Sequence, residues 1–264
     1  MKTRYPCLLL FLILIGLPGL AFPIEDRTKT QAAQDGQSLL KTEELVGRLG
    51  PRTLRDKGGA GPAAKEGLQI VLRLLAGEGE RITEENVTHA RELGFEPDDD
   101  DNIKRAEPLL ADAFPIFEVN LNDLRDFAPG KEVKNLFLYT HQLLIPIRVG
   151  NTVRSSLTIR FVPDAQGEVE KNGKGASWRL TRWGLPNLIG QLTDAQRKLT
   201  TQKPGFLLSV PALNRNFFGY EENAFIRLVP LAKDHHFTVG ESYLAQDVIK
   251  WLSEEAKSVD DSPR

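Results

Sequence analysis

The sequence of 264 residues predicts an α+β fold, in which a helical amino-terminal segment precedes a mainly antiparallel, curved sheet packed on one or two helices. Three observations lead to this prediction. In the first part of the chain, apolar residues recur at helical intervals. In the second part, segments rich in β-branched and aromatic residues are bounded by turn-forming residues, which is typical of strands. Hydrophobic residues make up 41% of the chain, enough for a substantial core without disulfide bonds.

Residues 1–21 have the features of a secretory signal peptide. A basic start precedes an apolar run over residues 7–15, and small residues then lead to a predicted cleavage between Ala21 and Phe22. The run is shorter than the ~20 apolar residues that a membrane-spanning helix needs, so we expect no stable membrane span after cleavage. We therefore expect the mature chain to be exported, to the periplasm or to the extracellular space.

Cysteine content and charge narrow the class of protein further. Cys7 is the only cysteine, so a chain cleaved after Ala21 would contain none, which favours a bacterial periplasm or cell exterior over an animal extracellular fluid. The chain has 34 basic and 36 acidic residues and a formal net charge of −2. A non-specific nucleic-acid binder would have a strong basic excess, and we therefore expect no nucleic-acid partner.

The first part of the predicted mature chain divides into a leader and a helical segment. Residues 22–37 are polar and predict a flexible leader. Residues 38–107 predict a segment of modest helices, because apolar residues recur there at helical intervals between glycine and proline breaks. The three helices are expected over about 39–49, 62–76 and 83–94. Four consecutive acids at 98–101 repel one another and predict a solvated boundary.

Residues 108–257 predict the α+β domain, and residues 258–264 predict a flexible tail. Strands are expected where β-branched and aromatic residues concentrate between turn-forming residues. Six segments of this kind occur, at 114–121, 136–149, 152–162, 177–183, 206–213 and 224–231. Two amphipathic helices are expected at about 186–199 and 242–256, and we expect both to pack on the apolar face of the sheet.

The most specific structural prediction concerns the hairpin formed by the second and third of these strands. Apolar residues alternate along both strands, and they share one face when Ile145 pairs with Leu157. A two-residue turn would pair Ile145 with Ser156 instead and would separate the apolar groups. We therefore predict a loop of odd length over residues 150–152.

With this register, the opposite face of the hairpin carries Arg148 next to Arg154, and Gln142 lies near Arg160. Guanidinium groups bind carboxylates and phosphates in a bidentate manner, so these three arginines predict a shallow anion-binding surface. The partner would be an envelope protein or an anionic small ligand. The alternative is an ordinary solvated outer face, which antiparallel sheets commonly have. The following strand adds two candidates to this surface, Arg179 and Arg182.

Two tryptophans flank those additional arginines. Trp178 and Trp183 are separated by an odd number of positions, so a regular strand would direct them to opposite faces of the sheet. We therefore expect one of the two rings to belong to the core.

The sequence predicts no cofactor and no metal. The glycine-rich stretch at 59–64 lacks the preceding strand of a dinucleotide-binding loop. The acids from Asp98 onward lack the glycine and glutamate of a calcium-binding loop. The four histidines lack the paired spacing of zinc ligands: His89, His141, His235 and His236.

No catalytic set stands out either, although one serine–histidine arrangement is conceivable. His141 could lie across the sheet from Ser155 or Ser156, but no acidic partner can be named. We therefore expect a non-catalytic binding or assembly protein of the cell envelope. The alternative is a secreted hydrolase whose site the sequence does not identify. A deep cleft with converging histidine, serine and carboxylate side chains would favour the hydrolase, whereas a flat or shallow surface would favour binding.

Overall fold

The computed structural model describes residues 59–76, 91–95, 105–128, 130–162, 177–199 and 204–259. All of them belong to one compact unit, Leu39–Arg264. The α+β class is confirmed: nine strands form one mostly antiparallel sheet, and four α-helices pack on it among the described residues. The predicted signal peptide, leader, first helix and acidic boundary lie outside the described residues.

The strands are β1 (Glu107–Pro108), β2 (Phe114–Glu118), β3 (Leu138–Val149), β4 (Thr152–Val162), β5 (Ser177–Gly184), β6 (Gly205–Val210), β7 (Arg215–Glu222), β8 (Phe225–Pro230) and β9 (Tyr243–Leu244). The helices are α1 (Ala60–Ala76), α2 (Leu121–Arg125), α3 (Pro186–Lys198) and α4 (Ala245–Lys257). All six predicted strands and both predicted domain helices are present, with ends that differ by a few residues. The sequence pattern does not predict β1, β7, β9 or α2.

The missing strand β7 is central to the sheet, and its sequence explains the omission. Its apolar centre is short, contains Gly219 and is flanked by charged or polar residues, so it shows no alternation. Two tight turns with left-handed residues hold it between its neighbours, one at Asn214 and the other at Asn223 and Ala224. Long-range pairing with β6 and β8 therefore determines this strand more than local preference does.

The sheet has the order β5-β4-β3-β2-β6-β7-β8-β9, and β1 pairs with the end of β3 beyond β2. Every pairing is antiparallel except that of β2 with β6. Among the described strands, β5 is therefore at one end of the sheet and β9 at the other.

Both faces of the sheet are covered over its centre. On one face, α1 packs on β3–β5 in a cluster that includes Ile145 and Leu157, and α4 packs on β6–β8 in a cluster that includes Leu208. On the other face, α3 packs on a cluster that includes Leu144 and Phe218. The alternative of a solvated outer face is therefore wrong for the middle of the β3–β4 hairpin. Each fully buried aliphatic side chain contributes about 1.5–3 kcal/mol, which makes a two-sided core strongly stabilising.

The register of the β3–β4 hairpin is confirmed, but its predicted loop is wrong. Ile145 pairs with Leu157, as burial of the apolar rows requires. The turn nevertheless has two residues, because Val149 pairs with Thr152. A β-bulge beside Ile147 adds one residue to β4 and restores the favourable register.

A second bulge overturns the expectation that the two tryptophans lie on opposite faces, although Trp178 belongs to the core as predicted. On β5, Leu180 pairs with Ile159 and Arg182 pairs with Thr158, so Thr181 is an extra residue. This shift returns Trp183 to the same face as Trp178, and both rings pack on the cluster beneath α1. The two rings therefore share one face, and Trp178 is the more deeply buried, with 9% exposure.

Candidate functional site

The structure does not bring the three predicted arginines together. Arg148 lies near the tip of the hairpin, is opposite Val153 and forms an ion pair with Glu107 of β1. Arg154 is the extra residue of the β4 bulge and is half-buried. Arg160 pairs with Gln142, as predicted, but this pair lies six residues along β3 from Arg148. At about 3.3 Å per residue, that spacing is about 20 Å, too far for one small anion.

Arg160 instead joins the two arginines of β5. It is the cross-strand partner of Arg179, and Arg182 is the partner of Thr158, two residues further along β4. All three arginines are exposed and project from the face opposite the tryptophans. We call this group the arginine face: Arg160, Arg179 and Arg182.

The arginine face is not neutralised by acids of the described chain. None of its three guanidinium groups forms an ion pair with a described residue. The polar contact of Arg179 is a long hydrogen bond, 3.5 Å from its Nε to Oγ of Ser177. Like charges on directly opposed strands destabilise a sheet. The arrangement therefore carries an electrostatic cost that a bound anion would relieve.

The strands beneath the arginine face are firmly held. On their other side, the rings of Phe161 and Trp178 pack edge to face with centroids 5.5 Å apart. Gly67 of α1 approaches Leu180 so closely that a side chain at Gly67 would lie in tight contact with it. The hydroxyl of Thr181 also donates a 3.1 Å hydrogen bond to the carbonyl of Thr158. A rigid support of this kind fixes the spacing of the guanidinium groups before a ligand arrives.

The conceivable serine–histidine pair is not formed. Ser155 pairs with Ile147 and Ser156 pairs with Pro146, so both lie about 17–20 Å from His141 along the hairpin. Both serines are buried, and Ser156 donates its hydroxyl to the carbonyl of Gly184. Their role is therefore structural.

His141 occupies an unusual position of its own. Its φ of 58° is left-handed, although it lies inside β3, where the pairing with β2 shifts register. Its ring lies 5.0 Å from that of Tyr139, whose hydroxyl is buried and has no hydrogen-bond partner among the described residues. Burial raises the pKa of Tyr139 above its ordinary value. The bulge therefore strains the backbone beside a buried phenol.

A second exposed feature lies at the other end of the sheet. Trp251 of α4 is 51% exposed, and the ring of His236 stacks on it with centroids 4.7 Å apart. The buried carboxylate of Asp234 holds this loop, because it accepts the backbone N–H groups of His235 and His236 and lies 2.6 Å from Nε of Arg215. This aromatic pair has no local signal in the sequence, because its two rings are 15 positions apart along the chain.

Across the parts of the chain that the structure describes, no group of three or more histidine, cysteine or acidic residues is arranged to hold a metal ion. None of the described helices combines the length and apolar character needed to span a membrane. No known family matches the chain, and no curated protein or solved structure is detectably similar to it. The arginine face is therefore the candidate site that the geometry supports best.

Proposed function

We propose that this chain is an exported, non-catalytic binding or assembly protein of the cell envelope, and that it engages an anionic partner through the arginine face. One observation carries the proposal: three exposed arginines lie side by side on β4 and β5, without an ion pair to any described residue. Elsewhere on this sheet, Arg148, Arg215 and Arg227 each pair with an acid. The contrast favours an external counter-charge for the arginine face.

The chemistry of arginine favours binding over catalysis. The guanidinium group stays protonated at physiological pH, so it holds and orients anions but does not serve as a general base. Its planar set of donors matches carboxylates and phosphates. An exposed sheet face with fixed guanidinium spacing suits recognition of several anionic groups at once, as in an acidic protein surface or a polyanion.

Export is proposed from the first residues of the chain. The basic start, the apolar run and the small residues before Ala21 together support a cleaved leader. Mass spectrometry of the protein from its native host tests this directly. The expected mature chain begins at Phe22, and an intact Met1 start in the cytosol would contradict export.

The binding proposal is tested with the triple variant Arg160→Gln, Arg179→Gln and Arg182→Gln. Arg148→Gln is the matched control, because it removes an exposed arginine from the same hairpin outside the arginine face. Binding of poly-L-glutamate and of inorganic polyphosphate would be measured by calorimetry, and capture of envelope proteins would be compared in parallel. The two probes distinguish carboxylate from phosphate partners.

We expect the triple variant to weaken binding by about tenfold or more, equal to about 1.4 kcal/mol, whereas Arg148→Gln leaves it nearly unchanged. Binding should also weaken as salt rises, because exposed charges are screened. Equal binding by the wild type and the triple variant to both probes, together with unchanged capture, would refute the proposed role of the arginine face.

A further inference from the structure

We infer that the anionic partner is a protein segment that adds as a strand to the open edge of β5, with acidic side chains against the arginine face. This inference rests on the proposed function and specifies the kind of partner. A strand at the edge of a sheet presents unpaired backbone donors and acceptors, and an extended peptide can pair with them.

The outer edge of β5 is open among the described residues. β5 has eight residues, and β4 is its only partner among the described strands. No backbone hydrogen bond from any other described element reaches it. The regular part of this edge is Ser177–Leu180, before the bulge at Thr181, and Arg179 projects from its centre. A partner strand would therefore pair with this part and extend towards Arg182.

Side chains on the two faces of β5 specify the partner's sequence pattern. On one face, side chains of the partner strand would lie beside Arg179 and Arg182, where acidic side chains are favourable. On the other face, side chains of the partner strand would lie beside Trp178 and Trp183, where apolar side chains are favourable. The expected partner segment therefore alternates acidic and apolar residues.

The same charges argue against a second copy of this chain as the occupant. Pairing two β5 edges would place the arginines of one copy beside those of the other. Like charges at adjacent positions destabilise a sheet, and charged edge strands generally prevent self-association. An acidic segment meets no such barrier.

The test uses a soluble hexapeptide of alternating glutamate and valine, added to the full mature chain. A version N-methylated at every residue keeps the carboxylates but has no backbone donors, and a lysine–valine version reverses the charge. Binding is followed by calorimetry, and pairing is followed by amide hydrogen exchange of β5. We expect the glutamate peptide to bind and to slow exchange in Ser177–Leu180, and each altered peptide to bind about tenfold or more weakly.

The outcomes separate this inference from the proposed function. Equal binding of the N-methylated peptide, with dependence on Arg179, would show recognition by charge alone and would overturn strand addition. Equal binding of the lysine peptide would overturn the acidic pattern. If polyglutamate or polyphosphate binds the arginine face but neither glutamate peptide binds, strand addition fails and the proposed function stands. If no polyanion and no peptide binds, both fail.

Discussion

Removing one charge from the arginine face should weaken the proposed anion binding but leave the fold as stable or slightly more stable. Arg179 is the best position for this change, because it lies directly across from Arg160 and on the same strand face as Arg182. Glutamine keeps much of the side-chain length and polarity while removing the charge. If Arg179 stabilised the fold, Arg179→Gln would instead lower the free energy of unfolding.

The expected change in the free energy of unfolding follows from the spacing of the strands. Opposed residues on antiparallel strands have Cβ atoms about 5 Å apart, so exposed guanidinium groups settle at about 6 Å or more. Two unit charges at about 6 Å repel by about 0.7 kcal/mol in water. Screening at physiological ionic strength reduces this to about 0.3 kcal/mol. We therefore expect Arg179→Gln to raise the free energy of unfolding by a few tenths of a kcal/mol.

Urea denaturation at about 50 mM and about 500 mM NaCl would measure this effect, since the Debye length falls several-fold between those conditions. The increase in the free energy of unfolding of Arg179→Gln should be larger at low salt and should nearly vanish at high salt. Arg148→Gln is the control and should lower stability by about 0–1 kcal/mol, because it breaks the exposed pair with Glu107. A loss of more than about 0.5 kcal/mol for Arg179→Gln at both salt concentrations would refute the reasoning and assign Arg179 a structural role.

Three further predictions concern the fold. Ala224→Gly should stabilise the protein by about 0.5–1 kcal/mol in urea denaturation, because Ala224 has a φ of 68° in an exposed two-residue turn where glycine is unstrained. Gly219→Ala should destabilise the protein by about 1–3 kcal/mol in the same assay, because the added methyl group would overlap the ring of Phe206. Gly190→Ala is the control and should stabilise the protein, because its methyl group would meet no other atom and alanine favours a helix. Tyr139→Phe should resist alkaline unfolding, because the raised pKa of the buried hydroxyl makes the folded state lose stability as pH rises above about 10.

A specific experimental outcome would contradict each of these three predictions. A loss of stability in Ala224→Gly would mean that the turn geometry is not the source of strain. An unchanged Gly219→Ala variant would mean that Phe206 has another rotamer available in the core. The same alkaline unfolding midpoint for wild type and Tyr139→Phe would mean that this hydroxyl ionises as readily in the folded state as in the unfolded chain.

Burial made part of this fold predictable from the sequence. The pairing of Ile145 with Leu157 is consistent with the need to bury both apolar rows, whereas a register shifted by one residue exposes one of them. The location of the extra residue does not follow. A longer loop and a bulge beside Ile147 satisfy the same alternation, so the pattern alone could not choose between them.

The candidate site was harder to predict because it depends on pairing between strands that are distant in sequence. Arg160 was identified from its own hairpin, but its neighbours are set by the register of β4 with β5. The sequence pattern of the two strands does not specify that register. The prediction that grouped Arg160 with Arg148 and Arg154 therefore chose positions close in sequence, whereas the structure groups Arg160 with Arg179.

The bulge at Thr181 explains why the core and the arginine face occur together on β5. In a regular strand, Arg179 and Arg182 would point to opposite faces, and so would Trp178 and Trp183. The extra residue places both arginines on one face and both tryptophans on the other. Burial of the two indole rings therefore fixes the bulge, and the bulge in turn fixes the two charges beside Arg160. The packed core on one side of the edge strand thus fixes the positions of the repelling charges on the other side, where the proposed anionic partner would bind.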